Sequence, residues 1–459
     1  MNPQVTPADP RERETLLETL VIQAELGQDE LVRTGVAALH PADIAELLNA
    51  LEEPELKQKI FTSLAPDLAS EVFSFASPLT QEELTQELSS AALGDIVERL
   101  DSDDAVDLLA SLPREQVRAV LDQVPQELSA EMAQLLRYPP DTAGGIMQTE
   151  HVEVPEGTSV TQAIEMIRRH IAEVPDIHNV FVVDSARRLV GVLPLRKLIL
   201  AQPHDPVDNV MDRQVISARV DLDQEKVAQL FKRYDLVSLP VVDTDGLLLG
   251  RITVDDVVDV LEEEATEDIY KLAGLSGEDT VFDSPRESIR RRLPWLGLNL
   301  VTTTLSASVI SFFEGTIQSV AIAAAFMTMV AAQGGNAGVQ TLTVIVRGLA
   351  LGEVNLSHAK RVLLKELLVA LGNGVILGVA AGLIAYVWKG QLLLGVVLTL
   401  ALLVNLVVAA FIGSVIPFTL RWFGVDPAVA SNVFVTACTD LCGFLSFLGI
   451  LSLFLRLFG

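Results

Sequence analysis

Charge all but disappears from the second part of this chain. Uncharged runs cover Leu293–Phe313, Gly315–Val346, Leu367–Trp388 and Gly390–Leu420, and a fifth, Pro427–Leu455, is broken by one charge, Asp440. Wound as helices at 1.5 Å per residue, all five are long enough to cross a hydrocarbon core of ~30 Å, so the pattern predicts five membrane spans. The first part reads differently. Residues from about 12 to 137 show short amphipathic helical periods separated by Pro and by Ser or Asp caps, and residues 141–262 alternate helical periods with β-branched strands. The expected fold is therefore multidomain: an acidic, superhelical α-helical domain over 1–138, an α/β pair over 139–261, an acidic connecting helix over 262–284 and a five-helix α transmembrane domain over 285–459.

Charge sharpens the division. From Ser284 onward there are 6 acids against 11 bases; the preceding residues hold 55 acids and 22 bases, a net −33. Such an excess excludes nucleic acid as a partner and favours cations, while the content of Leu, Ile and Val is that of a folded region. Arg286, Arg290, Arg291 and Arg292 precede the first span, and Arg347, Lys360, Arg361 and Lys365 lie near the second-to-third connection. The other side has no base between spans one and two and only Lys389 between three and four. The positive-inside rule places the amino terminus in the cytoplasm and the carboxyl terminus outside, as expected of an integral protein of a bacterial cytoplasmic (inner) membrane. The first twenty residues are charged and lack the apolar core of a signal peptide. Cys438 and Cys442, four apart on one predicted membrane helix, give neither a disulfide framework nor a zinc site, and the six His show no metal-ligand spacing.

Within the acidic half, the segment from His40 to Leu48 is echoed from Ala65 to Phe73 and again from Asp101 to Leu109, a recurring capped helix. Asp103 and Asp107 share one helical face; solvated caps or cation ligands are both open readings. A clearer duplication follows. Phe181-Val182-Val183-Asp184 with Leu189-Val190-Gly191-Val192 matches Pro240-Val241-Val242-Asp243 with Leu248-Leu249-Gly250-Arg251 at an offset of 59. This resembles a tandem CBS pair. In that family a Thr or Ser and an Asp three residues on hold an adenosine ribose; Thr253 and Asp256 fit, whereas the first copy has Pro194 and Lys197. The resemblance implies one site for ATP or another adenine nucleotide, with a structural cap as the alternative. From Asp255 to Asp268 an acid-rich helical stretch leads toward the first span. Like charges at i, i+4 destabilise a helix unless neutralised, and Asp and Glu oxygens are hard ligands suited to Mg²⁺ or Ca²⁺.

Asp440 is the strongest single signal. An ionisable group at bilayer depth costs about 2.5–3.5 kcal/mol on insertion scales, which makes an ion pathway the default reading over a packing Asp. The Gly374, Gly378 and Gly382 stripe of the third span reads as helix packing.

The order of parts, together with Gln333-Gly334-Gly335-Asn336-Ala337-Gly338-Val339-Gln340, Arg347-Gly348-Leu349-Ala350, Asp426-Pro427-Ala428 and Thr436-Ala437-Cys438-Thr439-Asp440, resembles the MgtE magnesium channel family over nearly the whole chain. One departure is Val339, where that family commonly has Asn. The resemblance implies a homodimer in the lipid bilayer with a pore between second and fifth spans, lined by Asp440, Gly334, Gly335, Asn336 and Gly338, that passes Mg²⁺, with Co²⁺ and Mn²⁺ as further cargo. Glycines there bare backbone carbonyls or serve packing; both readings stand. It implies further that cytosolic Mg²⁺ closes the pore through Asp103, Asp107, Asp223, Glu225, Asp235, Asp256, Asp259, Glu264, Glu267, Asp268 and Asp426. No Walker motif or catalytic constellation is present, so an enzyme is not expected. A secondary carrier using Asp440 as a coupling group, and a membrane-anchored sensor without transport, are the competing readings.

Overall fold

The computed structural model describes residues 10–36, 39–170, 174, 177–275, 279, 281, 284–429 and 432–458. Residues 1–9 of the stretch read as lacking a signal peptide, residues 276–278, 280, 282 and 283 of the expected connecting helix, and residues 430 and 431 of the fifth run lie outside the described residues. The chain forms two compact units, Met1–Glu262 and Glu263–Gly459.

Unit one begins with helices α1 (Pro10–Glu25), α2 (Asp29–Val36), α3 (Pro41–Ala50), α4 (Pro54–Phe61), α5 (Pro66–Ser74), α6 (Pro78–Glu87), α7 (Ser90–Val97), α8 (Ser102–Ser111), α9 (Arg114–Leu121) and α10 (Gln126–Leu135). From α4 on, the starts fall at 54, 66, 78, 90, 102, 114 and 126, a constant step of twelve residues. The echoes visible in the sequence are samples of this finer repeat. Pro occupies the first helical position of α3 to α6, where no N–H is needed, and Ser77 and Ser89 cap α6 and α7 by accepting from the amides of Thr80 and Ala92. Each helix packs on its neighbours two positions away, as α3 on α5 and α5 on α7, which winds the array into a superhelix around Ile44, Leu47, Phe73, Leu93 and Leu109.

Two three-stranded sheets follow. The first holds β1 (Glu153–Pro155), β2 (Asn179–Val183) and β3 (Leu189–Pro194), with α11 (Val160–His170) and α12 (Leu195–Leu200). The second holds β4 (Ala218–Arg219), β5 (Ser238–Val242) and β6 (Leu248–Thr253), with α13 (Gln224–Tyr234) and α14 (Val254–Leu272). In both, the outer short strand runs parallel to the middle one and the hairpin is antiparallel. Val182 pairs with Gly191 as Val241 pairs with Gly250, and the same register shift follows in each copy. The hairpin turns also match: the Asp184 carboxylate accepts from the amides of Ala186 and Arg188, and that of Asp243 from Asp245 and Leu247. At the left-handed position of the turn, Arg187 stands in the first copy and Gly246 in the second. The helical array shares one continuous apolar core with the second copy, through Ala218, Phe231, Leu239 and Ile252; the first copy keeps a core of its own around Val154, Val180 and Leu193.

Unit two contains the end of α14, then α15 (Pro285–Phe312), α16 (Glu314–Ser319), α17 (Ala323–Ala350), α18 (Ala359–Lys389), α19 (Leu392–Trp422) and α20 (Asn432–Phe458). α15 opens on a full capping box between Ser284 and Glu287. Among the described residues, four helices are long and apolar enough to cross a membrane, α15, α18, α19 and α20. The expected second span differs in two ways. Its first part, from Gly315, lies in the short α16, and α17 starts only at Ala323. α17 has the length, at 28 residues, but Gln333, Gly334, Gly335, Asn336 and Gln340 lower its hydropathy. α19 packs against α17, α18 and α20. Gly374, Gly378 and Gly382 let α18 approach the α19 backbone: a Cβ on Gly378 would lie 2.8 Å from the Thr399 carbonyl, and one on Gly382 2.6 Å from that of Gly395.

Candidate ion pathway and regulatory acids

The sequence-predicted pore residues lie on α17 and α20, which pack against each other. Asp440 lies half-buried two turns into α20, and among the described residues no donor or cation pairs with it. One turn before it the Thr436 hydroxyl donates to the Asn432 side chain at 2.6 Å. On α17, Gly335 faces this stretch, its added Cβ falling 3.8 Å from Thr436 and 4.0 Å from the Thr439 hydroxyl. Asn336, like Gln333 and Gln340, is exposed on the surface of the single chain. Gly334 and Gly338 are buried in helix contacts instead: a Cβ there would meet the Asn405 amide at 2.1 Å and Val435 at 2.5 Å. α17 is helical throughout residues 334–338, so their carbonyls sit in the helix ladder and are not bared as a filter loop would require. What these glycines provide is close approach.

Two buried polar residues of this unit have little signature in the sequence. Asn405 of α19 is fully buried between α17 and α20, its Nδ2 donating to the Val330 carbonyl at 2.9 Å. Its signal was one carboxamide inside an apolar run. Glu366 of α18 is buried and accepts from the Thr341 hydroxyl at 3.3 Å and from Lys365 at 2.5 Å. Sequence alone shows it as one more flanking charge.

The acidic end of α14, within unit two, packs against the segment that precedes α20. Lys271 places its ammonium 2.7 Å from Asp426 Oδ2 and 2.7 Å from Glu267 Oε1, while Asp426 Oδ1 accepts from the Ala428 amide. Leu272 packs beside them on Leu342, Val346, Ala428 and Val435. Burial lowers the affinity of Lys271 for its proton, but the two carboxylates more than reverse this and hold it charged. Burial pushes the Asp268 carboxyl up to about 6, and the charge of Asp426 adds to the shift. Glu264 lies one turn earlier on α14.

In unit one, Asp103 of α8 and Asp256 of α14 meet over a single donor. Gln148 Nε2 donates to Asp103 Oδ2 at 3.2 Å and to Asp256 Oδ2 at 3.3 Å, and Asp103 Oδ1 is buried with no partner. Burial, then Asp256 and Asp104, holds the Asp103 carboxyl well above its ordinary range. Asp104, which the sequence did not single out, is pushed up to about 7 by burial and by Asp101 and Asp107; Asp256 is pushed up to about 6, mainly by burial. Burial and then Glu262 raise Asp259. Of the other predicted acids, Asp107 is exposed at the edge of this group, one turn along α8, while Asp223 caps α13 with Glu225 in its first turn and Asp235 ends α13 in a left-handed conformation. Among the described residues no three His, Cys, Asp or Glu form a ready metal cage.

A cavity of about 320 Å³ opens beside these acids, lined by Asp101, Gln148, Glu150, His178, Val237, Ser238, Arg251, Thr253, Val254, Asp255 and Val258. Thr253 contributes to it, but Asp256 does not; the Thr253 hydroxyl and amide both bond the Asp256 carboxylate, at 2.5 and 3.2 Å, as a cap on α14.

Family models match most of this architecture: MgtE intracellular N domain over residues 39–141, CBS domain over 143–204 and 207–263, and MgtE, a divalent cation transporter, over 327–450. The chain is 39% identical over 332 residues to the magnesium transporter MgtE of Thermus thermophilus, 71% of this chain and 73% of that protein. It belongs to the MgtE family. The MgtE magnesium transporter of Bacillus subtilis is 37% identical over 70% of this chain and 71% of its own. The crystal structure of the soluble part of a magnesium transporter matches 55% of this chain and 99% of its own at 30% identity, TM-score 0.51. The cytosolic domain of the Mg²⁺ channel MgtE in complex with ATP is 37% identical over 52% of this chain and 99% of its own, TM-score 0.49. MgtE proteins are transporters, so the expectation that this chain is not an enzyme stands.

Proposed function

We propose that this chain is a Mg²⁺ channel that admits the ion to the cytosol and is closed by cytosolic Mg²⁺. Asp440 carries the reading: it is half-buried on a membrane-crossing helix with no partner among the described residues. A carboxylate in that setting needs water or a cation beside it. The exposed amides of Gln333, Asn336 and Gln340 on α17 extend the polar surface that lipid cannot solvate. One chain offers one carboxylate, whereas a two-fold pair offers two and matches a divalent ion that keeps its waters. The working unit is accordingly a homodimer with the pore on its axis. Exposed apolar side chains on the soluble unit, Ile199 and Leu200 on α12 and Val258 and Leu261 on α14, suit the same pairing.

The acids from Asp103 to Asp426 form the regulatory set. The orphaned Asp103 oxygen, the donor it shares with Asp256 and the hard-oxygen character of every member fit a hydrated Mg²⁺ held by one or two carboxylates at a time. The chemistry such an ion supplies is neutralisation of like charge along α14. With bases concentrated at the ends of α15, α17 and α18, the acidic half faces the cytoplasm. An adenine nucleotide is the ligand assigned to the cavity beside Thr253, whose lining includes the Arg251 cation and the apolar Val237, Val254 and Val258.

The test is cation influx into proteoliposomes at fixed voltage, with Mg²⁺, Mn²⁺ and Co²⁺ in turn. Asp440→Ala should lower flux about a hundredfold, the equivalent of ~3 kcal/mol. Undiminished flux in that variant overturns the channel, and flux that requires a proton gradient identifies a carrier instead.

A further inference from the structure

Asn405 lies in the middle of α19, the most apolar of the four spans, and is fully buried. Its Nδ2 donates to the Val330 carbonyl of α17 at 2.9 Å, and its Oδ1 is buried without a hydrogen-bond partner. A Cβ on Gly334 of α17 would lie 2.1 Å from Nδ2, and one on Gly443 of α20 2.8 Å from it. The amide is thus wedged between two helices, with only hydrogen tolerated on either, three residues along α20 from Asp440. A buried amide oxygen left unpaired costs about 1–3 kcal/mol, so the position is poor for stability alone; a Leu would fill comparable volume without that cost.

We infer that Asn405 is a positioning residue that sets the spacing and register of α17 against α20, and through them the width of the constriction at Asp440. This rests on the reading of those two helices as pore walls. The hydrogen bond to Val330 fixes α17 along its axis, and the planar amide fixes its distance from α20. Asn405 does not itself meet the ion. Its volume selects among divalent ions by holding the walls apart, and the two glycines are required by the amide and not by the ion.

The full chain is reconstituted, and Mg²⁺ and Ca²⁺ influx are measured separately for wild type, Asp440→Ala, Gly334→Ala, Asn405→Ala and the Gly334→Ala/Asn405→Ala pair. Gly334→Ala should reduce Mg²⁺ flux by about tenfold or more, because the new methyl displaces a buried, hydrogen-bonded amide. Removing the amide as well should return flux to within about threefold of Asn405→Ala alone, a coupling expected only of residues in contact. Asn405→Ala alone should change the Mg²⁺ to Ca²⁺ flux ratio by about threefold or more, a readout that general loosening does not move. A pair no better than Gly334→Ala, or an unchanged ratio in Asn405→Ala, overturns the inference. If Gly334→Ala does not yield monodisperse protein, the ratio in Asn405→Ala decides alone. Wild-type flux in Asp440→Ala removes the pore reading itself, whereas an inactive Asp440→Ala with no rescue removes only the role of Asn405.

Discussion

Asp103, Asp104 and Asp256 are held by burial where their ionised forms are disfavoured, with Asp104 at about 7 and Asp256 at about 6. In the unfolded chain they release protons near 4, so between that value and about 7 the folded state binds more protons. The unfolding free energy then decreases as pH rises through the window: these groups cost the fold nothing below pH 4 and their full penalty above pH 7. In chelator, the melting temperature of residues 1–262 should fall by about 5 °C or more from pH 5 to pH 8, and Asp104→Asn should flatten that slope. Millimolar Mg²⁺ should raise the melting temperature more at pH 8 than at pH 5, since only ionised carboxylates hold the ion. A pH profile identical in wild type and Asp104→Asn would assign the slope to other groups. At this scale the sequence was uneven. Asp440 was legible because one charge in an apolar run has no local explanation, and the acids were legible because charge is written in the residue type. Gln148 and Asn405 were not, because their weight comes from partners 45 and 108 residues away in the first case and 75 in the second.

Helix α14 changes its role along its length, and Lys271 marks the change. Its ammonium lies between Glu267 and Asp426, two members of the proposed regulatory set, and so already neutralises the carboxylates that a divalent ion would bridge. Lys271→Met should leave Glu267, Asp268 and Asp426 repelling one another, loosening residues 263–275 in chelator while leaving them held in millimolar Mg²⁺. Hydrogen exchange across that segment should therefore show a Mg²⁺ dependence at least about threefold larger in the variant than in wild type. An unchanged dependence would mean that Lys271 and the ion do not share these ligands. Elements whose logic is local are the legible ones: the 59-residue offset is reproduced in both strands of the hairpin, register shift included, because alternation, turn and Gly recur together. α17 is less legible. Its six polar or glycine residues between 333 and 340 are those that an inward-facing helix can carry, and they remove the apolar signal by which spans are found. The twelve-residue step of the helical array was seen only in part because Pro, Ser, Asp and Ala serve interchangeably at its caps.

Across the whole molecule, residues 1–283 carry a net −33, a charge that opposes its own compaction. Any salt relieves such repulsion through screening, so compaction by Mg²⁺ is not in itself a sign of sites. Screening depends on ionic strength alone, and about 5 mM MgCl₂ has the ionic strength of about 15 mM NaCl. If Asp103, Asp256, Glu267, Asp268 and Asp426 hold Mg²⁺, limited proteolysis of residues 100–283 in the full-length protein should slow in MgCl₂ and not in the matched NaCl. The protection should saturate in the millimolar range, where a cytosolic sensor of this ion has to respond. It should also weaken in Asp256→Asn, which removes one unit of charge from those thirty-three, and in Asp426→Asn, which removes none of them, changes too small to alter screening but sufficient to remove a ligand. Equal digestion in the two salts would leave the acidic half without a specific ion, and closure of the pore would then have to come from another ligand, the nucleotide cavity beside Thr253 being the remaining candidate.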